Sequence, residues 1–169
     1  MVLPSGYATD PVPLQQLIIT DEERGDRVLP QFSGLDPVLN ALALPGAQGN
    51  TDPVVPASDH PNGWGSIFAK DDTPLSADFA WMYDDGPGGT NLECAPQDMS
   101  ACWGHRDNIL GSWTTNGSQT AQMGDADTNA GQYTQVLMNQ TGTPDVPVDT
   151  IAPVRCPPRR RRRRPTSSS

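Results

Sequence analysis

Apolar positions recur at helical spacing three times in the first half of the chain. Leu14, Leu17 and Ile18 fall at i, i+3 and i+4 and run into the charged stretch Asp21–Arg27, which predicts one amphipathic helix. Asp36-Pro37 reads as a helix start. Its carboxylate can accept the first free N–H groups, and its proline has no N–H to lose. Val38, Leu39, Leu42 and Ala43 give this second helix a buried stripe, and Pro45-Gly46 is expected to end it. Thr73-Pro74 repeats the start signal; Leu75, Phe79, Met82 and Tyr83 then share a face, and Gly86 stops the third helix. A short fourth helix is expected over Ser100–Leu110, with Trp103, Ile109 and Leu110 as its apolar contacts.

After Gly111 the period changes. Thr120–Met123 and Gln132–Met138 carry β-branched and aromatic residues on either side of Gly124–Gly131, which predicts an antiparallel hairpin with a long turn. No strand is expected to lead into Gly63-Trp-Gly-Ser66. Residues 1–13 read as an extended lead-in, 14–142 as a single α+β domain, and 143–169 as a flexible Pro/Arg-rich tail, because proline there recurs too often for a further element.

Composition narrows the class. Only 35% of the 169 residues are hydrophobic and about a fifth are Pro or Gly, yet four Trp, three Phe and three Tyr remain to build a core. No apolar run reaches the roughly 18 residues of a membrane helix, and the opening Met1-Val-Leu-Pro-Ser-Gly lacks the basic and apolar regions of a signal peptide. Setting Arg159–Arg164 aside deepens the net charge of −9 by six, to −15, so the body repels nucleic acid and anionic membrane. Only the arginine run could hold a polyanion, and nothing beside it offers aromatic stacking or a groove-reading helix.

Cys94 and Cys102 bracket a short polar loop and are expected to form a disulfide, which points to an oxidising, extracellular compartment; Cys156 is left over. Several motifs fail on inspection. His-Arg-Asp-Asn at 105–108 lacks the other elements of a kinase loop, and Gly63–Ser66 is no nucleophile elbow because Ile67 stands where Gly belongs. Asp125-x-Asp127-x-Asn129 opens like a calcium loop, but Ala130 and Val136 occupy its Gly and Glu positions; a hairpin turn accounts for it better. What remains are two histidines, His60 and His105, and the Asp84-Asp85 pair. Those acids close the third helix, where the macrodipole disfavours negative charge.

Trp103-Gly-His-Arg-Asp-Asn-Ile-Leu110 resembles the Gly-His-Arg-x-Asn-Ile-Leu segment of bacterial CAP domains, the superfamily of cysteine-rich secretory, antigen 5 and pathogenesis-related proteins. The flanks follow in the same order: Gly65 to Ala69, then Trp81-Met-Tyr-Asp84, then a Met-Gly hairpin with Tyr133–Leu137. The resemblance implies a three-layer α–β–α sandwich with two His and two acids in a central cleft. It places His60 and His105 as the histidines and Asp84 as one acid; the other acid position falls on Ser66. Two His and one Asp suit a divalent metal such as zinc, but the missing carboxylate removes the natural general base. The expected function is therefore a secreted, monomeric, non-enzymatic module for a small apolar or peptide ligand. Its rival is a metal-dependent hydrolase using His60, Asp84 and His105.

Overall fold

The computed structural model describes residues 1–59, 63–113, 119–141 and 143–147. It is an α+β domain with four α-helices: α1 (Val12–Gly25), α2 (Pro37–Gly49), α3 (Pro74–Tyr83) and α4 (Gly104–Leu110). The strands are β1 (Gly34–Leu35), β2 (Trp64–Lys70), β3 (Gln119–Thr128), β4 (Gln132–Thr141) and β5 (Val146–Pro147), ordered β2-β4-β3-β1-β5 in one sheet. The β1–β3 pair is parallel and the others antiparallel. Among the described residues no helix is long and apolar enough to cross a membrane.

Both proline starts hold. The Asp36 carboxylate accepts from Val38 N and Leu39 N, and Thr73 forms a reciprocal capping box with Ser76. Three local expectations do not hold. α2 passes through Pro45-Gly46 to Gly49, and Gly46 lies against Pro53 and Thr51, where a side chain would clash. On α3 the stripe shifts: Pro74, Ala77, Asp78, Trp81 and Met82 are buried, whereas Leu75, Phe79 and Tyr83 are exposed. On α1 the charged stretch is not a solvated face, because Asp21, Glu23 and Arg24 are buried with the apolar residues.

The hairpin is longer than its sequence suggests. β3 runs through Gly124–Thr128, so the turn is confined to Asn129–Gly131, with Gly131 at φ 76°. Gly124 is needed there because a Cβ would meet the Leu39 backbone at 2.1 Å. β2 is an unexpected strand and pairs along its whole length with β4, from Trp64↔Met138 to Lys70↔Gln132. Past Thr143, Val146–Pro147 pair with Gly34–Leu35, and Asp145 N donates to the Leu35 carbonyl, so the sheet extends beyond the expected end of regular structure.

Strand alternation divides the core. Val136, Met138 and Ala126 pack with Leu39, Ala43 and Ala47 of α2. Leu137 and Met123 lie in a second cluster with Leu17 of α1 and Phe32, and Ile67, Ala69 and Tyr133 in a third with Trp81 of α3 and Ile109 of α4. β2 is the edge strand of the sheet among the described residues, and the candidate site forms beside it.

Candidate functional site

α4 has seven residues, too few to be stable alone. Charged side chains fix it at both ends. At its start the Asp85 carboxylate accepts from His105 N at 2.9 Å and Arg106 N at 3.2 Å. At its end the buried Arg24 guanidinium donates to the carbonyls of Ile109 (2.6 Å) and Gly111 (3.0 Å). Negative charge at the N-terminus and positive charge at the C-terminus both complement the helix dipole. Asn108 Nδ2 donates to the Ser66 carbonyl at 3.1 Å, docking α4 on β2 where Gly65 leaves room for the amide.

This anchoring aims His105 into a cavity of about 470 Å³ at the edge of β2. Apolar side chains of Phe68, Ala69, Ala80, Trp81 and Leu92 line part of it, and Asp52, Lys70, Asp71, Asp85, Glu93 and His105 bring charge. The His105 ring lies between two carboxylates. Nδ1 is 2.7 Å from Asp85 Oδ1, and Nε2 faces Asp52 Oδ1 at 3.6 Å. Burial of the ring works against its charge, but Asp52 and Asp85, by hydrogen bonding and by charge, outweigh it and push the imidazole from 6.5 up to about 9. At neutral pH His105 is therefore an imidazolium. Asp85 orients it through Nδ1–H, and Nε2–H is the donor offered toward the cavity.

Asp85, the neighbour of the expected Asp84, is the acid that meets His105. The Asp84 carboxylate accepts from Thr90 N at 3.1 Å, caps the following turn and is not part of the cavity wall. One step along the chain turns the next carboxylate to α4. The cost of an acid at the end of α3 thus has a structural explanation, because Asp85 is also the acid at the start of α4. Ser66 does not face the cavity either; its hydroxyl donates to the Pro53 carbonyl at 2.8 Å. His60 and Arg159–Arg164 lie outside the described residues, as does Cys156.

The sequence reading missed Asp52 and Asn91. Asp52 follows α2, and its only signal was membership of an acidic, proline-rich loop. Asn91 Nδ2 donates to Asp85 Oδ1 at 2.6 Å and approaches the Ala101 carbonyl at 3.3 Å. The Cys94–Cys102 disulfide forms as expected, with Cα atoms 4.4 Å apart. For a metal, His105 Nε2 and Asp52 would supply two donors. Among the described residues no group of three His, Cys, Asp or Glu side chains is placed to hold an ion; the expected triad includes His60, which lies outside them.

Compared with known proteins, the chain matches no family model and no curated sequence.

Proposed function

We propose that this protein is an extracellular CAP-like ligand-binding domain, in which a small or peptide ligand occupies the cavity at the edge of β2 and accepts a hydrogen bond from His105. The observation that carries this reading is the fixed imidazolium, held on Nδ1 by a buried carboxylate and presenting Nε2–H beside an apolar wall. Asp52 is more exposed than Asp85 and stands at a longer distance, so a ligand carboxylate or carbonyl can take its place on Nε2. Helices against both faces of the sheet support the three-layer sandwich, and the Cys94–Cys102 bond supports an oxidising compartment.

A hydrolase is the second reading. The Asp85–His105 pair has the form of an orienting acid and a base. Protonation of His105 at neutral pH works against it, since an imidazolium can donate a proton but cannot take one. A metal-dependent version would use His60 and His105 with Asp52 in place of Asp84.

The test is ring-resolved NMR of His105 during titration with a tripeptide library and, separately, with zinc chloride. Peptides with a free carboxylate should shift the His105 ring signals at micromolar to millimolar concentration, and His105→Ala should abolish binding. No shift from any peptide at millimolar concentration would sink the reading. Peptidase activity that requires zinc and is lost in His105→Ala would replace it with the hydrolase.

A further inference from the structure

The stretch from Asp84 to Trp103 joins α3 to α4, and it is long for a connection inside a compact domain. It also has little to hold it. From Pro87 to Ser100 the only buried side chain is Cys94, while Leu92 at the cavity rim is 96% exposed. A segment that buries so little apolar surface has low local stability unless something else ties it. Its first turn is held to Asp84 through the Thr90 N–H, and three further ties gather around Asp85 and Gly86. The disulfide joins Cys94 to Cys102, one residue before Trp103, whose N–H donates to the Asp85 carbonyl at 3.0 Å. The Trp103 ring lies over Gly86, where a Cβ would come within 2.1 Å of it. Asn91 reaches from the loop to Asp85 Oδ1, the same oxygen that meets His105 Nδ1.

The geometry points to Asn91 as a positioning residue that acts through Asp85 on His105, and to the Cys94–Cys102 disulfide as the switch that keeps it there. The oxidised loop puts Thr90, Asn91, Leu92 and Glu93 on the cavity wall and closes one side of Asp85 to water. Reduction by a dithiol delivers two electrons and two protons to the S–S bond, gives two thiols, and leaves the reductant as its own disulfide. The loop then loses its covalent tie, the Asn91–Asp85 bond opens more often against the remaining Thr90–Asp84 bonds, and water reaches the carboxylate–imidazolium pair. The cavity loses a wall in the same step. Regulation of ligand binding by this route rests on the ligand-binding reading above; control of the Asp85–His105 pair does not.

The experiment reads that pair directly, with no ligand present. Nitrogen-edited NMR follows solvent exchange of the His105 Nδ1–H proton in the full chain. Samples are the oxidised protein, the same protein in TCEP, the Cys94→Ser/Cys102→Ser variant and the disulfide-intact Asn91→Ala and Asn91→Gln variants. Oxidised protein should show a downfield, slowly exchanging Nδ1–H. In TCEP and in the double serine variant, that proton should exchange at least tenfold faster. Asn91→Ala should accelerate the exchange with the disulfide still closed, and Asn91→Gln should restore part of the protection. Far-UV circular dichroism reports whether each sample is folded. Unchanged exchange in folded, reduced protein, or unchanged exchange in Asn91→Ala, would overturn the proposal. A zinc and tripeptide titration of the oxidised protein completes the set. Failure to bind there counts against the ligand-binding reading and leaves the exchange result standing.

Discussion

Two groups of buried carboxyls occupy this domain, and the fold treats them in opposite ways. Asp85 is fully buried yet surrounded by donors: two backbone N–H groups of α4, the Asn91 amide and the His105 ring. Asp21, Asp78 and Asp125 are as deeply buried, on α1, α3 and β3, but each keeps at least one oxygen with no hydrogen-bond partner among the described residues. For Asp125 this is true of both oxygens. Burial pushes all three up. Asp21 reaches about 7, against the pull of the Phe32 N–H and Arg24, and Asp78 reaches about 8, with Glu23 adding to the rise and Arg27 opposing it. Asp125 rises well above its usual value, with Asp127 adding to the effect of burial. Burial alone favours a neutral acid; burial with donors can hold a charged one. The first arrangement fills a core, and the second builds a site.

Removing the paired carboxylate is the harshest way to break this contrast. Asp85→Ala strips the acceptor from two N–H groups at the start of α4 and leaves the His105 imidazolium with only the more distant Asp52. Losing one partner of a buried pair typically costs about 3–5 kcal/mol. Urea unfolding should show a loss of that size, with the His105 titration moving down toward its ordinary value. A loss under about 1 kcal/mol would mean that α4 is held from its other end, by Arg24.

pH separates the two groups more gently. An acid whose folded pKa lies above its unfolded value binds its proton more tightly when folded, so stability falls as pH rises between the two values. For Asp21 that window runs from 3.8 to about 7, and for Asp78 from 3.8 to about 8. His105 acts in the same direction in a later window. Its contribution is complete below 6.5 and is lost as pH rises through about 9. Urea midpoints should therefore decline steadily from pH 4.5 to pH 9. Asp78→Asn cannot ionise, so it should flatten the part below pH 8, stabilise the protein at pH 8 by roughly 1–3 kcal/mol, and leave the His105 part intact. A midpoint that rises with pH would show these carboxyls to be ionised in the fold.

What was legible in the sequence follows the range of the interaction. Thr73-Pro74 and Asp36-Pro37 started helices because capping is settled within three residues. The stripe on α3 was misplaced because that helix carries apolar residues on two faces. Packing against α1 and β2 chose the face with Trp81 and Ala77, and Asp78 was buried with it. β2 escaped notice because Trp64-Gly-Ser-Ile-Phe-Ala-Lys has a single β-branched residue, and its partner β4 is far along the chain. β1 and β5 are two residues each and exist only through each other and β3. His105 stood out through its motif, and the disulfide through the spacing of its cysteines. Asp52 and Asn91 did not, since what recruits them is loop geometry that no local pattern encodes.

The same contrast separates two neighbouring residues. Asp84 and Asp85 have the same side chain and adjoin in sequence; the sequence pointed to Asp84, and it is Asp85 that bonds His105. Asp84 is half-buried and accepts one side-chain hydrogen bond from a backbone group, the Thr90 N–H. Gly89 sits so close beneath its carbonyl that a Cβ would approach within 2.0 Å, so the turn also has a backbone reason to hold its shape. Asp84→Ala should therefore cost about 0.5–1 kcal/mol, the usual size of a partly exposed hydrogen bond to a loop N–H. His105 should titrate as in the unaltered protein, because the carboxylate that orients its ring is untouched. Urea unfolding and the ring-resolved titration, run beside Asp85→Ala, check both halves of this expectation. If Asp84→Ala lowers the His105 pKa by a unit or more, the two acids work as one unit, and assigning the site to Asp85 alone is wrong.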